Sequence, residues 1–82
     1  MEKGKFIVFT GYYPEEIISR VEEIYNIVKE NLIFIVKFGR FVPSRCSRFD
    51  SVLGVDLASD NQYARIITKE YIKDVEKSDY GQ

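Results

Sequence analysis

Two stretches of this chain are apolar with almost no alternation. Lys5-Phe6-Ile7-Val8-Phe9-Thr10 is continuously apolar in its middle, and Leu32-Ile33-Phe34-Ile35-Val36-Lys37-Phe38 is more strongly so. Strands covered on both faces, as in a parallel sheet, carry this pattern. Gly11 ends the first run and Gly39 the second. Between them Ile17, Val21, Ile24 and Val28 recur at helical spacing, joined by Ile18 and Tyr25, with Glu22, Glu23 and Lys29 on the other side. Pro14 suits a first helical turn, where no amide donor is needed, and Glu15 and Glu16 sit where the helix dipole favours acids. The pattern predicts an amphipathic helix from Pro14 to about Asn31. Strand, helix and strand within about thirty residues make a βαβ unit with two parallel strands and a right-handed crossover.

The second half is less regular. Asp50-Ser51-Val52-Leu53-Gly54-Val55-Asp56-Leu57 predicts a third strand with Leu53, Val55 and Leu57 alternating inward, and 58–62 is turn-like. Two readings of the remainder compete. Tyr63-Ala64-Arg65-Ile66-Ile67 is β-rich, so it can form a strand, with Thr68 capping a short helix from Lys69 to Lys77. Alternatively Ser59 and Gln62 make a capping box, and Tyr63, Ile67, Tyr71 and Val75 line one long helix. Strand then helix is favoured. The expected fold is α+β: a βαβ unit, a β-hairpin-like region and a short C-terminal helix, forming a small sheet with helices packed on it. It is one domain over residues 1–82, with a frayed tail at 78–82.

Composition narrows the functional classes. At 82 residues with 45% hydrophobic and 15% aromatic content, a real core is expected without staples. The single cysteine, Cys46, excludes an internal disulfide and fits a reducing compartment. The longest apolar run is too short to span a bilayer. The first residues carry no signal-peptide core. A cytoplasmic protein with no membrane contact is expected. Its Ile, Lys and Glu content fits an AT-rich genome or a hot habitat, and its small size fits a cellular or viral regulator. Net charge -1 argues against a protein that coats DNA along its length. The absence of histidine removes the usual general base and the commonest metal ligand.

Against that near-neutral body, residues 37–49 stand out. They carry Lys37, Arg40, Arg45 and Arg48 with no acid among them, interleaved with Phe38, Phe41 and Phe49. Guanidinium groups bind phosphate or carboxylate bidentately, and phenyl faces offer bases a stacking surface. The segment begins at the carboxyl end of the second strand, where ligands of parallel sheets commonly bind. Its plain alternative is a solvated loop whose arginines pair with carboxylates of the helix and whose phenylalanines fold back into the core. Tyr12 and Tyr13, at the carboxyl end of the first strand, would lie beside it and widen a stacking surface if the strands are neighbours.

Other chemistry is weaker. Arg45 and Arg48 flank Cys46 and would favour its thiolate, yet there is no histidine base. Val52 also stands six residues on, where a phosphatase-type loop has arginine. Asp50, Asp56 and Asp60 match no magnesium-loop spacing, and Asp56 reads as the outward residue of a strand. No catalytic residue, metal or cofactor is expected.

The cadence Val8-Phe9-Thr10-Gly11, then Pro14, a helix, and Ile35-Val36-Lys37-Phe38-Gly39-Arg40 resembles archaeal Alba chromatin proteins. That resemblance implies a nucleic-acid-binding dimer. It covers less than half the chain, Tyr12-Tyr13 stands where that family has lysines, and the family's basic balance is absent. The residues themselves point to a small non-enzymatic binding module. Lys37, Arg40, Arg45 and Arg48 would meet phosphates of a nucleic acid or other polyanion, while Phe41, Phe49, Tyr12 and Tyr13 stack or anchor. The alternative is an interaction or inhibitor domain docking on an acidic protein surface. A homodimer is expected in either case, because one long helix covers one face of a sheet that is apolar on both. Pairing would bring two basic loops together.

Overall fold

The computed structural model describes residues 3–80, with side chains up to Lys77. The elements run β1 (Gly4–Phe9), α1 (Pro14–Val28), β2 (Leu32–Phe38), β3 (Arg48–Asp50), β4 (Val55–Leu57), β5 (Tyr63–Ile66) and α2 (Lys69–Tyr80). β1 and β2 pair in parallel, with Phe6 opposite Phe34 and Val8 opposite Val36. β5 joins the other side of β2 antiparallel, giving the order β1-β2-β5, while β3 and β4 form a separate hairpin. The α+β fold with its parallel βαβ unit, hairpin and C-terminal helix is the one the residue pattern predicts.

Alternation along β2 divides the core. Phe34, Val36 and Phe38 face the helices and form one buried cluster with Ile18 and Val21 of α1, Ile72 of α2, and Ile67. Both helices therefore lie on one face. Ile35 points the other way and is buried too, between Ile7 of β1 and Ile66 of β5. Ala64 and Leu57 are also buried outside the helix-side cluster. The molecule is a slab of 39 × 38 × 16 Å.

Local chemistry explains where elements begin and end. The Glu16 carboxylate accepts the Tyr13 amide at 2.7 Å and holds the start of α1, just before a kink at Ile17. That helix stops short of Asn31, whose amide donates to the Val28 carbonyl at 3.1 Å in a turn leading to β2. Thr68 Oγ1 accepts the Tyr71 amide at 3.1 Å and caps α2. Strand then helix is therefore the outcome after Gln62. Ser59 and Gln62 do bond as the capping-box pattern suggests, with Gln62 Oε1 accepting the Ser59 amide at 3.0 Å. They close a turn, because the next residues pair with β2 instead of coiling. α2 runs on to Tyr80, past the expected end at Lys77; Gly81 and Gln82 of the expected frayed tail lie outside the described residues.

The continuous third strand over residues 50–57 does not form. Asp50 breaks it: its Oδ2 accepts the Leu53 amide at 2.9 Å and its carbonyl accepts the Gly54 amide at 2.7 Å. Gly54, at φ 72, completes the turn. Leu53 thus sits in the turn and Val55 is exposed, not inward. Asp50 Oδ1 also accepts the Ala64 amide at 3.0 Å, so this buried carboxylate both folds the hairpin and fixes it to β5. Removing it orphans two donors, one of them buried. Asp50→Ala should cost about 1–3 kcal/mol in urea denaturation, with Asp50→Asn losing less because one acceptor oxygen remains.

Tyr71 packs its ring 6.4 Å from Phe38. Burial pushes its phenol from the ordinary 10.0 up to about 12, with a smaller contribution from Tyr63. Because the folded value lies above the unfolded one, the stabilisation is complete below about pH 10. It is lost as pH rises toward 12. Alkaline unfolding followed by circular dichroism should show a decline in that window, and Tyr71→Phe should make it shallower.

Candidate functional site

The carboxyl ends of β1 and β2 meet a polar turn formed by Ser59–Gln62. Gly39 is the junction. Its φ of 101 is open to glycine, and a Cβ there would lie 3.0 Å from the Asn61 carbonyl and 3.1 Å from Gln62 Cα. Its amide donates to the Tyr12 carbonyl at 2.9 Å. Asn61 Nδ2 donates to the Arg40 carbonyl and to the Tyr13 hydroxyl, each at 2.8 Å. Ser59 Oγ accepts the Val42 amide at 3.2 Å and contacts the Arg40 carbonyl at 3.4 Å. The first residues of the basic loop are thereby held at the backbone, next to Tyr12 and Tyr13. Asn61 Oδ1 is buried and without a hydrogen-bond partner among the described residues.

The cations fare differently. Lys37, at the end of β2, donates from Nζ to the Gly39 carbonyl at 3.2 Å, and burial lowers its pKa. Arg40 lies 3.5 Å from Glu16, and Arg45 lies 3.0 Å from Asp60. Acids from elsewhere in the chain thus offset part of the positive island that the local sequence contains. Both pairs are substantially exposed, so each contributes only about 0–1 kcal/mol and leaves its guanidinium open to exchange. Arg48 opens β3 and has no ion pair among the described residues.

The aromatic groups divide as well. Phe38 is core. Phe41 and Phe49 stay 58% and 62% exposed, and Tyr12, also exposed, joins the start of the basic loop through its carbonyl's bond from the Gly39 amide. They do not fold back into the interior. Phe49 sits on the hairpin opposite Asp56, and no hydrogen bond or ion pair among the described residues ties Arg48 or Phe49 to the cluster around Arg40. The site thus has two parts: Tyr12, Tyr13, Lys37, Arg40, Phe41 and Arg45 around the polar turn, and Arg48 with Phe49 on the hairpin.

Cys46 is exposed. Asp50 is engaged by backbone amides and Asp60 by Arg45, and no group of three or more Cys, Asp or Glu side chains poised for a metal occurs among the described residues. The Arg40–Glu16 pair is what the plain alternative, arginines meeting carboxylates of the helix, expects for one arginine; local reading of the loop missed Asp60, Ser59 and Asn61, which hold or neutralise the rest. The run Ser59-Asp60-Asn61-Gln62 reads in sequence as an ordinary polar turn, so nothing local showed that its side chains also bond the basic loop.

No family model, curated protein or solved structure matches this chain. The likeness to Alba proteins remains one of local motif.

Because Gly39 combines positive φ with close backbone neighbours, Gly39→Ala should cost about 1–3 kcal/mol by urea denaturation. Gly54→Ala, where φ is 72 but a Cβ meets nothing within 4 Å, should cost less.

Proposed function

We propose that this chain is a small, non-enzymatic binding module that engages a nucleic acid or similar polyanion through residues 37–49 together with Tyr12 and Tyr13. The observation that carries this reading is the exposure of Phe41, beside Arg40, on a backbone anchored by Ser59 and Asn61. An apolar ring presented to solvent on an anchored backbone can meet a partner with little ordering cost. Paired with guanidinium groups, it suits a ligand that has both flat rings and phosphates. Arg40 and Arg45 would exchange Glu16 and Asp60 for phosphate oxygens; Lys37 and Arg48 would add charge, and Phe49 a second stacking face. Among the described residues no helix is long and apolar enough to cross a membrane. We place the protein in the cytoplasm, where its lone exposed Cys46 stays reduced.

One observation favours a second reading. Arg40 and Arg45 already pair with carboxylates, so an acidic protein surface would offer them equivalent partners. A pull-down from lysate with and without nuclease separates the two: partners lost on treatment favour nucleic acid, and retained partners favour a protein.

Direct binding tests the leading reading. Fluorescence anisotropy with labelled single- and double-stranded DNA and RNA should show affinity falling with salt, with a log-log slope of roughly -2 to -4. Replacing Arg40, Arg45 and Arg48 together by alanine should abolish binding while leaving the fold intact by circular dichroism. No binding at low salt, or binding indifferent to those three changes, contradicts the proposal.

A further inference from the structure

β1 lies at the edge of the three-stranded sheet, and no partner bonds its outer side among the described residues. The phase of that edge follows from one bond: the Thr10 amide donates to the Lys37 carbonyl of β2 at 2.9 Å. Peptide groups of a strand alternate sides, so even-numbered residues address β2. The amides and carbonyls of Lys5, Ile7 and Phe9 therefore point outward together. Natural edges are usually blunted by proline, bulges or several charges. This one runs in unbroken register along Gly4–Phe9, with Lys5 its one charge.

The strand is also poorly covered on both faces. Phe6 is 39% exposed, Ile7 40% and Phe9 68%. On the helix side a groove of 620 Å³ opens between β1 and α1, lined by Val8, Ile17, Val21, Ile24 and Phe34. The chain exposes 5835 Å² in all. A monomer of 9.6 kDa typically exposes about 5,100 Å². The surplus, about 700 Å² over the whole surface, includes these β1 side chains and is of the order of the roughly 800 Å² that each partner of a standard interface buries.

We propose that the missing cover is a second copy of this chain, with the two β1 strands pairing antiparallel about a two-fold axis through Ile7. That axis sets Ile7 against the partner's Ile7, and Lys5 against the partner's Phe9. All three outward-facing residues are then paired, by on the order of six backbone hydrogen bonds. An axis through Lys5 would leave Phe9 unpaired and put two ammonium groups opposite each other; an axis through Phe9 would strand Lys5. Centred on Ile7, the apolar side chains meet at the dyad, and the Lys5 ammonium lies beside a phenyl ring that can receive it. The product is a six-stranded sheet in the order β5-β2-β1-β1-β2-β5. Antiparallel pairing places the two basic loops at opposite ends of that sheet, so dimerisation does not pool them, contrary to the simple expectation. The inference stands independently of what the loops bind.

Three measurements test it. Light scattering of the native chain at about 100 μM should give twice 9.6 kDa. In a Cys46→Ser background, Ile7→Cys should oxidise to a covalent dimer, since facing hydrogen-bonded residues stand about 5.5 Å apart at Cα, within disulfide reach. Lys5→Cys alone should not, whereas Lys5→Cys combined with Phe9→Cys should. Amide exchange on the native chain, which needs no variant to fold, should show the Ile7 amide slowed at least tenfold at high protein concentration relative to low. A monomer overturns the proposal. So does a dimer in which the Ile7 amide exchanges freely or Lys5→Cys crosslinks to itself, because either result places the interface elsewhere.

Discussion

β2 has to be buried on both sides, and the rest of the structure follows from how that is achieved. Phe34, Val36 and Phe38 on one face, with Ile35 on the other, leave no orientation of this strand that is comfortable in water. The parallel crossover puts β1 on one flank and α1 over the first face; β5 and α2 return to close the second flank and finish the helical layer. Nothing equivalent is left for the opposite face, which relies on flanking Ile7 and Ile66 for cover. Exposed apolar side chains along β1 are the physical consequence.

The hairpin depends on a single buried carboxylate. Asp50 meets amides from its own turn and from β5, so what looks in sequence like a metal-ligand candidate is a backbone clamp. A comparable economy operates at the site. Gly39, Ser59 and Asn61 fix the first residues of the basic loop by bonds to main-chain atoms, which leaves the Phe41 ring in solvent and the Arg40 guanidinium in an exposed, exchangeable pair with Glu16. An anchored backbone with solvent-accessible side chains is the condition under which a short loop can bind without a large ordering cost.

What the sequence reveals follows the range of the interactions involved. Periodicity and punctuation are local, so β1, α1, β2 and the Thr68-capped α2 are legible from residues within a few positions of one another. The hairpin was half legible: Gly54 marks a turn, but an alternating pattern read across it hides that Asp50 ends one strand and prepares the next. The neutralising partners were legible only as a class: pairing with carboxylates of the helix was the plain alternative, and Arg40 does meet Glu16 of α1, but neither the particular pairs nor Asp60 could be named. Glu16 and Asp60 lie more than ten positions from the arginines they meet, and only the strand order brings them together. A cluster of cations in sequence is therefore a weaker statement about surface potential than it looks. A cluster of aromatic rings in a tightly pinned loop is a stronger one, because burial was available to Phe38 and was not taken by Phe41.

The central claim is that the carboxyl-end edge built from Tyr12, residues 37–49 and the Ser59–Gln62 turn is the ligand-facing surface. Backbone amide chemical-shift mapping during titration with a short single-stranded oligonucleotide tests it most directly. The account predicts that the largest changes fall on Tyr12, Arg40, Phe41 and Arg45, with α2 unmoved. Changes concentrated on α2 or the β1–α1 groove, or none at all at low salt, would contradict it.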